Sequence, residues 1–248
     1  MIVLKTRSEL ELMRIAGRIS AQALKMAGEM ARPGVTTAQI DREIRKFILS
    51  QGAEPSFLGY GGFPASACIS INDVVIHGIP GGQVINAGDI VSIDVGACYK
   101  GYHSDNAATF PAGEISPAAR ALMDATEKSL YKGIEQAIAG NRVGDISSAV
   151  QSYVESLGYG IVRKFVGHGV GKKMHESPEV PNFGKAGTGP RLAAGMTLAI
   201  EPMINLGSGE VKILPDGWTV LTADGGLSAH FEHTVAITEN GPVILTEP

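Results

Sequence analysis

Ala87-Gly88-Asp89-Ile90-Val91-Ser92-Ile93-Asp94 returns later in the chain as Ala194-Gly195-Met196-Thr197-Leu198-Ala199-Ile200-Glu201. Each stretch opens on Ala-Gly, runs through four residues to Ile, and ends on an acid. Downstream, His103-Ser104-Asp105 is matched by His230-Phe231-Glu232. Asp94 therefore pairs with Glu201, and Asp105 with Glu232. One such acid alone reads as a solvated strand edge, since most carboxylates are exposed. Recurrence together with the flanking residues argues otherwise. Acids set in apolar, strand-like runs are costly unless something positive meets them. Four converging carboxylates repel one another, and two divalent cations cancel their formal charge. The pattern predicts a dinuclear metal site on a duplicated strand pair.

The duplication reaches further. Gly34, Ile40, Phe47 and Gly52 align with Gly140, Ile146, Tyr153 and Gly158 at an offset of 106. Asp94 to Glu201 is 107 and Asp105 to Glu232 is 127, so the second unit holds about 20 extra residues between its acids. Two units are too few for a solenoid. The expectation is one α+β catalytic domain over residues 1–248, made of related halves at about 1–113 and 114–248. Each half runs helix, helix, strands, with the site between them.

Ser8-x-x-Glu11 reads as a capping box opening a helix to about Met30, which Pro33-Gly34 ends. Thr36-x-x-Gln39 starts a second helix that stops near Gly52. Ser116-Pro117 supplies an N-cap with Pro at the first helical position, for a helix reaching about Ile138. Asp145 starts a fourth, ending near Gly158. Strands are expected at 67–71, 74–77, 89–98, 102–110, 161–166, 196–204, 218–222 and 230–237. Tyr99-Lys100-Gly101 reads as a hairpin turn that sets Asp94 and Asp105 on neighbouring strands.

The bulk composition fits a soluble globular protein: 44% of the 248 residues are hydrophobic and 19% charged. A formal net charge of −4 argues against a general nucleic-acid or membrane binder. The start, Met1-Ile2-Val3-Leu4-Lys5-Thr6-Arg7, becomes charged too early for a secretory signal. No apolar run approaches the ~18 residues of a membrane span. Cys68 and Cys98 form no CxxC and read as buried strand thiols of a reduced, cytoplasmic protein.

Six histidines are available: His77, His103, His168, His175, His230 and His233. His168 lies in Gly167-His168-Gly169-Val170-Gly171, where flanking glycines leave the ring uncrowded, and is the best nitrogen ligand. Carboxylates with one imidazole suit Mn²⁺, Fe²⁺, Co²⁺ or Zn²⁺, and spacing does not choose among them. His103 and His230 stand two residues before an acid on the same strand face, as orienting groups rather than ligands. His233 should point to the opposite face and pack. Lys172-Lys173 lacks the Ser or Thr that a phosphate loop needs, and no GxSxG elbow occurs.

At these residues the chain resembles the type I methionine aminopeptidases, members of the "pita-bread" metallopeptidases. The matching stretches are Ser70 to Pro80, the Asp94 to Asp105 hairpin, Gly167 to Gly171, Met174-His175-Glu176, Ile200-Glu201-Pro202-Met203 and Glu232-His233-Thr234. They occur in order and span nearly the whole chain. The resemblance implies a pseudo-two-fold fold with a central curved antiparallel sheet backed by helices. It implies removal of the initiator methionine from nascent chains whose second residue is small.

By the same resemblance, Asp94, Asp105, His168, Glu201 and Glu232 hold two divalent ions, with Asp105 and Glu232 bridging. His77, His175 and Glu201 are the catalytic groups, the two imidazoles also binding substrate. Phe57, Tyr60, Phe63, Cys68, Met174 and Trp218 wall the methionine slot. Asn72, Val74 and Ser228 hold a monovalent cation, Na⁺ or K⁺. Gly61 stands where many members carry His. The implied partners are N-terminal Met peptides, nascent chains and the ribosome, for a monomeric enzyme. An Xaa-Pro aminopeptidase or prolidase is the alternative within the fold. Those proteins usually carry an extra N-terminal domain, for which a first helix beginning near Ser8 leaves no room. The absence of a large insertion between His175 and Glu201 favours type I over type II. A ligand-less binding module is the alternative outside catalysis, and such modules tend to lose the ligands that are all present here.

Overall fold

Thr6, not Ser8, opens the first helix. In the computed structural model, which describes residues 1–248, α1 covers Arg7–Met30. The Thr6 hydroxyl accepts the Glu9 N–H while the Glu9 carboxylate takes the Thr6 N–H, a reciprocal cap. Ser8 and Glu11 already lie inside the first turns, where Glu11 pairs with Arg14 instead. Met13, Ala16, Ile19, Ala23 and Ala27 recur at helical spacing and bury one face. The second helix, α2 (Thr37–Ser50), carries the expected Thr36/Gln39 box. Helix α3 (Pro117–Ile134) is capped by Ser116 but stops short of Ile138, because the chain tightens into i→i−3 bonds from Gln136 and Ala137. Helix α4 (Val143–Ser156) begins before Asp145, whose carboxylate reaches back to the Arg142 N–H at 2.7 Å.

The strands follow in two groups. The first comprises β1 (Glu54–Pro55), β2 (Ala67–Ile71), β3 (Val74–Ile76), β4 (Ile90–Tyr99) and β5 (Tyr102–Pro111). The second comprises β6 (Gly160–Ile161), β7 (Gly167–Gly169), β8 (Glu176–Val180), β9 (Thr197–Ile200) and β10 (Met203–Asn205). It continues through β11 (Val211–Ile213), β12 (Val220–Thr222), β13 (Ser228–His230), β14 (Glu232–Thr238) and β15 (Gly241–Ile244). The expected strand at 161–166 shrinks to β6. The one at 196–204 splits at Glu201-Pro202, since proline has no N–H for a ladder. The one at 230–237 divides at Phe231.

Nine strands form one antiparallel sheet in the order β1-β4-β5-β14-β9-β7-β8, with β2 also on β4 and β15 on β14. Two three-stranded sheets, β13-β10-β6 and β11-β12-β3, complete the fold. Alternation along each strand separates two faces. Val91, Ile93, Val95 and Ala97 of β4 pack with Ile19, Ala23, Ile40 and Ile44 of α1 and α2. Leu198 and Ile200 of β9, with Val235 and Ile237 of β14, pack with Leu122, Leu130 and Ile146 of α3 and α4. The helices therefore take one face of the sheet, and the intervening acids fall on the other.

Candidate metal centre

Strand register alone assembles most of the site. Asp94 is opposite Ala107, and Ala107 is opposite Glu232. Ile200 pairs with His233, so Glu201 falls beside Glu232 as β9 ends. Cys68 is opposite Asp94 and extends the same rung. Two residue pairs along, and so on the same face, Asp105 stands between Gly96 and Thr234, Thr234 pairs with Ala199, and Ala199 pairs with His168. Thr234 ties that rung together, donating its hydroxyl to the Asp105 carbonyl at 2.8 Å and accepting the Asp105 N–H at 2.9 Å. Residues two apart on a strand share a face, so the five expected ligands sit on two adjacent rungs of one face.

Four of these five side chains converge in two overlapping groups, and Asp94 lines the same cavity without joining either. One atom each from Asp105, His168 and Glu232, and one each from Glu201, His230 and Glu232, lie within 4.8 Å of one another. His168 Nε2 is 3.6 Å from Asp105 Oδ2 and 3.6 Å from Glu201 Oε1. His230 Nε2 is 3.8 Å from both Glu201 Oε2 and Glu232 Oε2. These gaps are too long for hydrogen bonds. Donors bound about 2.1 Å from a common ion lie roughly 3–3.5 Å apart, so small inward movement suffices. Asp94 Oδ1, Asp105 Oδ1, Glu232 Oε1 and His230 Nε2 are buried without a hydrogen-bond partner. No lysine or arginine pairs with any of the four acids. Burial, reinforced by neighbouring carboxylates, pushes Asp94, Glu201 and Glu232 well above the ordinary range, and burial lifts Asp105 to about 8. A buried acid cluster with orphaned oxygens and no cationic side chain is what divalent cations fit.

His168 is prepared as a ligand. Its Nδ1 is 2.8 Å from the Gly169 carbonyl, which fixes the proton there and leaves Nε2 for the cluster. Burial holds its pKa down to about 4, so the ring is neutral at pH 7. The glycines beside it serve close packing, because a Cβ on Gly167 would strike the Ala199 carbonyl and one on Gly169 the Ser177 carbonyl. His230, expected as an orienting group, makes no hydrogen bond through Nε2 and stands with Glu201 and Glu232 in one group of candidate ligand atoms. His103 instead meets Ser56 Oγ at 2.9 Å and approaches none of the four acids. His233 bonds Thr246 on the opposite face.

The acids and the apolar slot share one cavity of about 320 Å³, lined by Phe57, Tyr60, Phe63, Cys68, His77, His175 and Trp218 besides the ligands. Phe63 and Trp218 meet edge to face at 5.1 Å between ring centres. Met174 packs with Phe57, Phe63 and Cys68 behind this wall rather than on it. Gly61 lies under Trp218, and a Cβ there would come within 3.3 Å of that ring. Burial raises the Cys68 thiol well above its ordinary pKa, which makes it wall and not nucleophile. His77 is held at a positive φ of 59°, against Phe165 and Trp218. A non-glycine residue in that region carries strain that recurs at functional sites. His175 lies 4.0 Å from His168 between ring centres, and its Nδ1 is 2.8 Å from the Tyr60 hydroxyl. That hydroxyl contact escaped the sequence reading, in which Tyr60 was only wall. Asn72 also has a positive φ, its carbonyl accepts the Ser228 N–H at 2.8 Å, and Val74 begins β3 two residues on.

Residues 11–239 match the description "Metallopeptidase family M24". The chain is 58% identical over 246 residues to a methionine aminopeptidase of Clostridium perfringens, covering 99% of both. It superposes on the crystal structure of the Thermotoga maritima methionine aminopeptidase with a TM-score of 0.99 at 44% identity, covering 100% of each. A prolidase of Pyrococcus furiosus superposes at 0.80 with 26% identity, and 66% of its length is covered. The expected curved sheet backed by helices is thus the fold in hand. Full-length identity of this order, on a shared architecture, places the chain in metallopeptidase family M24, among the type I methionine aminopeptidases.

Proposed function

We propose that this chain removes the N-terminal methionine from peptides and nascent proteins whose second residue is small. The observation that carries the reading is the single cavity in which an apolar aromatic slot meets the carboxylate–imidazole cluster. Residues 1–248 act as one catalytic domain of two related halves. Asp94, Asp105, His168, Glu201 and Glu232 would hold two divalent ions, with His230 beside Glu201 and Glu232. Mn²⁺, Fe²⁺, Co²⁺ and Zn²⁺ all suit this donor set. Bound there, divalent ions would supply a water of lowered pKa and polarisation of the scissile carbonyl.

The protein groups supply the rest. Phe57, Tyr60, Phe63, Cys68 and Trp218 receive the thioether side chain, for which aromatic edges are favourable contacts. Burial keeps His77 and His175 near pKa 4, so both rings are neutral at pH 7 and each can donate one N–H. With the Tyr60 hydroxyl donating to His175 Nδ1, the ring hydrogen of His175 sits on Nε2. His77 and His175 then hydrogen-bond the substrate carbonyl as it becomes tetrahedral. Glu201 takes a proton from the attacking water and returns it to the leaving amine.

Asn72, Val74 and Ser228 are the proposed seat of a monovalent cation, Na⁺ or K⁺. The enzyme is proposed to act as a cytoplasmic monomer that meets its substrates near the ribosome. No helix of the chain is long and apolar enough to cross a membrane. The test is turnover of Met-Ala-Ser against Xaa-Pro peptides, with and without Mn²⁺ or Co²⁺. Metal-dependent release of methionine alone is expected. Cleavage restricted to Xaa-Pro would replace this reading with a prolidase, and inactivity under every condition with a binding module.

A further inference from the structure

Most lysine and arginine ion pairs in this chain are exposed, and one is not. Lys5 Nζ lies 2.7 Å from Glu176 Oε2, with the two side chains only 3% and 10% exposed. A pair so dry is a weak source of stability, because the desolvation of both charges offsets their attraction. Its location suggests another use. Glu176 opens β8 immediately after His175, and β8 pairs with β7, which carries His168. His175 thus sits on the short connection between the two strands. The other Glu176 oxygen accepts the Lys173 N–H at 3.1 Å, and the Gly171 N–H bonds the Lys173 carbonyl at 3.0 Å. Gly171 allows this closure, since a Cβ there would come within 2.6 Å of both the Glu176 carboxylate and the Lys5 side chain.

Lys5 is itself anchored. Its backbone N–H bonds the Gly195 carbonyl at 2.7 Å, in the turn that leads to β9 and Glu201. Its ammonium also reaches the Val3 carbonyl at 3.2 Å. The amino-terminal segment therefore straps the His175 connection to the turn that leads into β9. Without the ammonium, the Glu176 carboxylate would be buried and uncompensated, and would leave for solvent and release the Lys173 N–H.

We infer that Lys5 is a positioning residue: through Glu176 it sets the place of the His175 ring over the substrate. The inference rests on the aminopeptidase reading of the site. The test is a double-mutant cycle of Lys5→Met with His175→Ala, measured on Met-Ala-Ser with metal loaded. Lys5→Met should lower kcat about tenfold with KM changed less than about twofold, and bound metal should be retained. In the His175→Ala background the same substitution should cost less than about twofold. Lys5→Arg should recover most of the kcat. An equal loss in both backgrounds, loss of metal, or full activity of Lys5→Met would each overturn the inference. Where Lys5→Met does not fold, Glu176→Gln enters the same cycle under the same criteria. Inactivity of the unmodified protein would refute the aminopeptidase reading, not the strap. The strap is then read from the His175 ring resonances of the Zn²⁺-loaded protein by NMR. These should shift and broaden in the variant, and unchanged resonances would dismiss it.

Discussion

The β4–β5 ribbon and the β9–β14 pair carry acids at equivalent positions in very different settings. Asp94 and Asp105 stand on ten-residue strands joined by a tight turn, and both lie within one continuous ladder. Glu201 lies just beyond a four-residue strand, and the chain then leaves the sheet through β10 to β13 before Glu232 returns to it. The first pair is held by backbone register. The second is held by register across β9 and β14 as well, but its excursion through β10 to β13 brings in Trp218, which has no counterpart in the hairpin. The expected ligands thus come from both pairs, while the longer loop adds Trp218 to an aromatic wall otherwise drawn from the first half.

The largest expected effect tests whether the two pairs are equal partners. Asp105→Ala and Glu232→Ala should each lower kcat/KM by more than about a thousandfold and reduce bound metal, with the fold retained by circular dichroism. Activity surviving in one alone would break the symmetry of the site. His77→Ala should slow kcat about a hundredfold with both metals still bound. Metal loss there, by elemental analysis, would contradict its role. Trp218→Ala asks what the excursion contributes: KM for Met-Ala-Ser should rise about tenfold, with metal content unchanged. A pure kcat effect would remove Trp218 from the slot.

Smaller effects concern stability. In the metal-free protein the Asp105 carboxyl is raised by burial to about 8, while unfolded carboxyls ionise near 4. Between those values the folded chain holds the extra proton, so stability falls as pH rises through that window. Thermal unfolding of metal-free protein should occur at lower temperature at pH 8 than at pH 5, and Mn²⁺ should reverse the trend by replacing the proton. A flat profile would mean the acids are already compensated. Finally, Thr36 caps α2 through its side chain, whereas Arg142 at the start of α4 makes no such bond. Thr36→Ala should cost about 1 kcal/mol in denaturant unfolding, and Arg142→Ala clearly less.

Much of the site was legible because its chemistry is local in sequence. The Thr36/Gln39 box, the Tyr99-Lys100-Gly101 turn and β2, β4 and β5 were readable from residue pattern within a few positions. The paired acids could be found because each recurs with its neighbours. Strands β7, β8 and β15 were not, since Gly-rich or proline-bearing segments carry no alternation and form only against a partner. The start of α1 was misplaced because two overlapping boxes compete there, and only the direction of the incoming chain decides between Thr6 and Ser8.

Sequence alone determined which side chains are available as ligands, which face of each strand they share, and the duplicated order of helices and strands. Those follow from periodicity and from the cost of burying charge. Only the tertiary structure decided that the aromatic slot opens onto the acids, that Tyr60 meets His175, and that Lys5 reaches Glu176 across 171 positions. Such contacts depend on how separate elements approach in space, and no local pattern of residues encodes that distance.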